Sequence, residues 1–308
     1  MNHARCGAGS PQPLPERILD IHGDNVRLVE IAGETARYVG VSHCWGAHSL
    51  LKTTTANIST FRKSIPWESI PRTFQEAVIF TRRLGIRYIW IDSLCIIQDD
   101  ETFASDWQVQ SAKMAAIYQN SYVTLAASRS SDSTKGFLQT LKIALPFSND
   151  LDLSDITVYA RLDIPHVAWA HYHDQFLLML RAWAYQERLL SPRMIHFAGL
   201  ELQWECGQRT ACQCGVSNHP GIENLGAQSS TSSEYRHKVE YGRHIVVSTS
   251  PGISWRRFFQ RYASLALTYP SDIFPALSGL AASWNAHGND RYLAGLWSNS
   301  LLHDLLWS

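Results

Sequence analysis

Arg87–Asp100, RYIWIDSLCIIQDD, is the stretch that most limits what this chain can fold into. Its first six residues, Arg87 to Asp92, are rich in aromatic and β-branched side chains and end on a carboxylate, which reads as a strand. The segment before it, Pro71–Leu84, places Phe74, Ala77, Val78, Thr81 and Leu84 on one helical face and closes on Gly85. Thr73 and Glu76 have the spacing of a capping box. The segment after it, Ser105–Tyr118, predicts a second helix with its own box, Ser105 and Gln108, and with Trp107, Met114, Ala115 and Tyr118 on one side. Ala36–Ser42 and Tyr122–Ser128 add a strand on either side, giving β-α-β-α-β over residues 36–128. That alternation is the unit of a parallel sheet flanked by helices. Ligands of such sheets bind beyond the carboxyl ends of the strands. Asp92, Ser93, Cys95, Gln98 and Asp99 therefore stand where chemistry is expected.

The flanking sequence is less regular. Residues 1–16 are rich in proline and glycine with no apolar core, which predicts a mobile leader and not a signal peptide. Arg17–Glu30 holds two short alternating runs around His22-Gly23-Asp24-Asn25, a hairpin signal. Residues 47–70 read as an irregular loop with one short helical turn. Residues 129–180 read as an insertion or covering layer, with weak strand signals at Ile156–Leu162. Arg181–Leu190 predicts a helix stopped by Pro192, and Met194–Cys206 a hairpin turning near Ala198 and Gly199. An α/β domain over 17–206 is then followed by a long polar loop over 207–250. Trp255–Leu267, Phe274–Trp284 and Tyr292–Trp307 read as helices of a C-terminal extension, 251–308, packed on the core.

Charges balance at 27 against 27, so nothing favours a nucleic-acid partner or an anionic membrane surface. No run of about 18 apolar residues occurs, and no membrane span is expected. Some of the 11 tryptophans must be core, yet that many large rings also suit a pocket or an interface. Six cysteines without an export signal predict free thiols in a cytoplasmic protein. Cys206, Cys212 and Cys214 with His219 do not have the spacing of a zinc site, and no metal is expected. Neither a dinucleotide fingerprint nor a phosphate loop is present.

Several stretches taken together resemble one family. YVGVSHCWG (38–46), IPRTFQEAV (70–78), LGIRYIWIDSLCIIQDD (84–100), DWQVQSAKMAAIYQNSYVTLAAS (106–128) and RAWAYQERLLSPRMIHF (181–197) are similar to the HET (heterokaryon incompatibility) domains of filamentous fungi. DRYLAGLW (290–297) resembles the region beyond the domain in long members, many of which continue past the position of Trp307. The resemblance implies a fungal, intracellular protein of the incompatibility and cell-death type. A more distant resemblance is to TIR domains. Tyr38–Gly46 is similar to their first strand, and Arg87–Asp100 to their second strand and the loop after it. Trp183 and Glu187 are similar to the Trp and Glu of the helix that bears the catalytic glutamate of NAD-cleaving members. This implies an α/β fold with a TIR-like or flavodoxin-like parallel sheet flanked by helices, and an α+β C-terminal extension. It also implies NAD as substrate, with no bound cofactor.

Breaking the nicotinamide–ribose bond expels a leaving group that is neutral once released, so no general acid is required. The site must stabilise an oxocarbenium-like ribose, which one carboxylate can do. The expected catalytic residues are Glu187, Asp92 and His43. The expected substrate-binding residues are Ser42, Trp45, Gly46, Cys95, Gln98, Asp99, Trp183 and Gln186. Each has a plainer reading: Glu187 as an ion-pair carboxylate on a helix surface, Asp92 as a turn cap, the tryptophans as core. His43 and Cys44 are adjacent on a strand and point to opposite faces, which leaves Cys95 as the thiol partner that geometry allows His43. Asp99-Asp100-Glu101 reads as a solvated acidic run. Two other roles fit the same residues. One is a non-catalytic module that self-associates through a tryptophan-rich face. The other is a short HET-like enzyme of secondary metabolism that cyclises or rearranges a polyketide-type small molecule in an apolar pocket.

Overall fold

The computed structural model describes residues 6, 9–31, 33–46, 50–102, 105–138, 176–199, 201–213, 237–242, 251–285 and 290–305. The hairpin at the start is present as β1 (Arg17–Asp20) and β2 (Arg27–Glu30). β3 (Tyr38–Ser42) leads through a loop to α1 (Arg72–Arg83), then to β4 (Tyr88–Trp90). α2 (Asp106–Asn120), β5 (Val123–Ala126), α3 (Ala182–Leu190) and β6 (Arg193–Phe197) continue the alternation. β7 (Leu202–Cys206) and β8 (Thr210–Cys212) fold back on β6, and α4 (Pro251–Ala263) and α5 (Pro275–Trp284) follow.

These eight strands form one mixed sheet in the order β8-β7-β6-β5-β3-β4-β1-β2, and four two-residue strands pair apart from it. Only the central four, β6-β5-β3-β4, are parallel. Hairpins pair antiparallel at both margins, so the sheet is not parallel throughout as expected. Chain order reverses at β3, whose neighbours β4 and β5 lie on opposite sides of it.

Side-chain alternation along β3 assigns the helices to faces. The Tyr38 hydroxyl donates to the carbonyl of Ile117, and the Tyr118 hydroxyl donates to that of Val41 at 3.0 Å. A Cβ at Gly40 would meet Tyr118 at 3.5 Å. Tyr38, Gly40 and Ser42 thus face α2. His43 points the other way, and its ring meets Phe74 of α1 edge-on at 4.8 Å. α2, α3 and α5 pack together beneath the first face. Their closest approach is at Gly279 of α5, where a Cβ would lie 2.4 Å from Ala115 and where the backbone N–H donates to Gln186 Oε1 at 2.9 Å. Only glycine fits there.

One hydrophobic core runs from the β1–β2 hairpin to Trp255 and Phe258 of α4 and Leu277 of α5. The C-terminal region is therefore continuous with the sheet's core. Several local expectations fail for identifiable reasons. α1 has Pro71 at its N-cap and no capping box; Glu76 instead receives the N–H groups of Phe137 and Leu138. α2 is capped by Ser105, which accepts from Gln108 N at 3.3 Å. Within 207–250, β8 and a helical segment at 237–242 are formed, so that region is not simply a loop. Tyr292–Trp307 is not one helix. Ala294 (φ 49°) and Gly295 (φ 101°) make a two-residue turn that pairs Tyr292–Leu293 with Leu296–Trp297 before a short helix, Leu301–Asp304. Most of the expected covering layer, including Ile156–Leu162, lies outside the described residues. Among those described, no helix is long and apolar enough to cross a membrane.

Candidate functional site

The carboxyl ends of β3 and β4 meet α3 at one point. β3 ends by sending Ser42 to one face of the sheet and His43 to the other. After β4, the chain turns at once into a one-turn helix, Asp92–Cys95, whose first residue holds its carboxylate beside them. Asp92 Oδ1 lies 2.8 Å from His43 Nε2 and accepts Ser93 N–H at 2.7 Å, while Oδ2 accepts Trp45 Nε1–H at 2.8 Å. Asp92 is therefore held mainly by side chains of the β3 loop and is not an ordinary turn cap. Gly46 lets that loop leave the strand, with φ at 72° and a hypothetical Cβ 2.3 Å from Asp132. From the other face comes Glu187, 6% exposed, which accepts the hydrogen bond of Ser42 Oγ. It is not an ion-pair carboxylate on a helix surface, because Arg188 turns away to Glu205.

These groups open on a cleft of about 750 Å³. His43, Trp45, Gly46, Asp92, Gln98, Trp183 and Glu187 line it. Arg181, Lys52, Trp107, Tyr269 and Asp272 complete the wall. The Trp183 indole donates to Asp272 Oδ2 at 2.9 Å and meets Trp107 edge-on at 6.4 Å. A second, smaller cleft, about 360 Å³, lies elsewhere, lined by Cys6, Arg193 and Lys238.

A family model described as heterokaryon incompatibility protein (HET) matches residues 38–187. Residues 38–187 are a HET domain. Comparison with curated proteins and with solved structures gave no match. The HET match begins on the first residue of β3 and ends on Glu187 itself, so it encloses Ser42, His43, Trp45, Asp92 and Glu187. Tyr269 and Asp272, which finish the cleft wall of this HET protein, lie beyond it. The family gives the chain a fungal, incompatibility-type context and names no chemistry.

Electrostatics separate the roles of the HET-domain carboxylates. Burial would raise the Asp92 carboxyl, but His43, Trp45 and the Ser93 N–H outweigh it and hold the group below its ordinary value. Burial would lower the His43 imidazole, yet Asp92 beside it holds it above its ordinary value. The two form an ion pair. Burial pushes Glu187 up to about 7, with Asp92 adding repulsion and Ser42, His43 and Arg181 opposing. Glu187 thus exchanges a proton near neutrality, whereas Asp92 stays charged.

Four expected residues do not line the cleft; one is Ser42, which is buried and reaches the site only as the hydrogen-bond donor to Glu187. Cys95 is buried in the core, where desolvation pushes its thiol up to about 12, and it forms no pair with His43. Asp99 is exposed and caps Thr55, accepting its N–H at 2.8 Å. Gln186 is spent on α5, at Gly279. Cys44 reaches the cleft, but burial raises its thiol too, which leaves no activated nucleophile. Cys212 is disulfide-bonded, so the thiols are not all free as expected. Among the described residues, no group of three or more His, Cys, Asp or Glu is placed to hold a metal; Cys214 and His219 lie outside them. Arg181, Lys52, Trp107 and Asp272 were not singled out as ligand-facing. Asp272 carries no local signal at all, since it meets Trp183 from 89 residues away.

Proposed function

We propose that this HET protein hydrolyses NAD at the nicotinamide–ribose bond, with Glu187 facing the developing ribose cation. The observation that carries the reading is a buried carboxylate that accepts from a neutral hydroxyl, Ser42, and lines a cleft walled by tryptophan. Topology supports it. The four parallel strands read second-first-third-fourth along the sheet, the opening of the flavodoxin-like order, and the cleft opens where chain order reverses. That is also the arrangement expected of a TIR-like core.

The chemistry is balanced without a cofactor. The C1′–N bond breaks and its electron pair leaves with nicotinamide, cancelling the pyridinium charge. Water adds to C1′ and its proton passes to solvent, giving ADP-ribose. Ionised Glu187 stabilises the cation between these events, in a site where low dielectric strengthens it. Near pH 7 its charged and neutral forms are comparable, and the cationic nicotinamide ring of bound NAD favours the charged one. Asp92 fixes His43 and Trp45, and the indole faces supply stacking surface for the flat rings of the substrate. Consumption of NAD would connect this chemistry to the cell death of incompatibility.

The test is nicotinamide release from NAD by the purified full chain, beside Glu187→Gln. Release by the parent and its loss in a folded variant is the expected result. Equal release by both would remove Glu187 from the mechanism. No release by either, across concentrations that permit self-association, would overturn the hydrolase reading.

A further inference from the structure

Several arginines among the described residues are spent on carboxylates. The two buried ones each hold a carboxylate: Arg17 that of Asp106, Arg188 that of Glu205. More exposed ones are also matched, Arg87 and Arg27 to Asp20, Arg72 to Glu76, Arg256 to Asp304. Arg181 is different. It is half-buried in the wall of the 750 Å³ cleft, at the residue preceding α3, and among the described residues it has no carboxylate partner. Its guanidinium lies against the Cys44 thiol and is close enough to Glu187 to act on its charge. Lys52 reaches the same cleft from the loop before α1, and its ammonium likewise has no ion pair among the described residues.

A half-buried guanidinium without a carboxylate partner has lost hydration that a neutral thiol replaces only weakly. The carboxylates that share the cleft have other hydrogen-bond partners. Asp92 is committed to His43 and Trp45, and Asp272 to the Trp183 indole. Glu187 is committed to Ser42. Two cations in one cleft wall suit an anion supplied from outside. A guanidinium matches phosphate oxygens in pairs and an ammonium adds a point charge, which together suit a diphosphate better than a single carboxylate.

We propose that Arg181 and Lys52 seat the diphosphate of the cleft's ligand, so that the site selects nucleotides bearing a diphosphate over nucleosides. This rests on the nucleotide reading of the cleft, and it names the part of the substrate that gives affinity. It also assigns Arg181 a second consequence. A bound diphosphate would offset Arg181, which with His43 favours the charged form of Glu187, so the anionic half of the ligand and the reacting half are electrostatically coupled.

The experiment is calorimetric titration of the full chain with ADP-ribose, inorganic pyrophosphate and adenosine, for the parent, Arg181→Met and Lys52→Met. ADP-ribose and pyrophosphate are expected to bind the parent with affinity that falls as salt rises. Arg181→Met should weaken both by about tenfold or more and Lys52→Met by several-fold, with adenosine unaffected. Lys52 is exposed, so its variant tests the idea even if Arg181→Met does not fold. ADP-ribose binding that is equal in the parent and a folded Arg181→Met, or absent from the parent, would overturn the proposal. Diphosphate binding without NAD turnover would leave it standing and sink the hydrolase; turnover with unchanged affinity in both variants would do the reverse.

Discussion

Glu187 and Glu205 are both buried carboxylates, the first on α3 and the second held by the next residue of α3, yet they are driven in opposite directions. Glu205 is held by two bonds from Arg188, at 2.8 and 2.7 Å, and by His196 at 3.1 Å. Burial would raise its carboxyl, but Arg188 and His196 hold it far below the usual range. Glu187 is as deep, but its bonded partner is a hydroxyl, and burial prevails. Equal desolvation therefore gives a locked charge in one place and a poised one in the other, and the difference is the partner. The poised one lines the large cleft. A folding core needs the first kind of carboxylate; a reaction needs the second.

Removing one partner of the locked pair should cost most. Glu205→Gln leaves Arg188 buried without its counter-ion, and urea unfolding should show a loss of about 3–5 kcal/mol. Glu187→Gln should behave oppositely. Nicotinamide release should fall by about 10² or more, the scale for removing a preorganised electrostatic stabiliser. Stability at neutral pH should be retained or raised, because the charged form no longer has to be buried.

The pH dependence separates the two further. Glu187 has a folded value of about 7 against an ordinary 4.5, so the proton is held more tightly in the folded state. Its stabilising contribution is complete below 4.5 and is lost as pH rises through about 7, a change on the order of 3 kcal/mol. Parent stability relative to Glu187→Gln should decline across that window, as measured by denaturant midpoints. The kcat/KM for NAD should rise over the same window, since the ionised form is the active one. Glu205 has the opposite sign: its contribution is present above its ordinary value and is lost as pH falls toward its depressed folded one. Should the parent and Glu187→Gln show parallel pH profiles, the two carboxylates would not differ as described. The smallest effect is expected at the cleft wall. Trp183→Phe deletes the indole N–H that binds Asp272 and should cost about 1 kcal/mol, read as a few-fold loss of ADP-ribose affinity.

The strand–helix rhythm of residues 36–128 was legible because each strand is a compact β-rich run and each helix has its own apolar stripe. The spacing of Trp183 and Glu187 was legible for the same local reason. The hairpins at the sheet's margins were visible as alternating runs, but nothing in them announced that they would extend a parallel sheet antiparallel at both ends. Glu76 shows how a local signal is overridden. Its spacing from Thr73 suits a cap, yet the backbone of Phe137 and Leu138 offers two N–H groups that only the folded chain brings near. At 292–297 the apolar run suggested helix, and two adjacent positive φ values turned it into a hairpin. The cleft wall was hardest to foresee. Asp272 and Tyr269 come from after α4, and their meeting with Trp183 depends on how α5 docks, which no window of sequence contains.

The end of the family match on Glu187 has a practical side. What recurs across the family as a unit is not what this protein needs in order to stand. A gene fragment trimmed to residues 38–187 would stop in mid-helix, before the strand that covers the edge of β5 and before the glycine of α5 against which Gln186 rests. The exposed β5 edge would be free to recruit another chain. Inheritance and autonomy have different borders here, and transplanting the site into another scaffold means carrying the sheet margin and α5 with it.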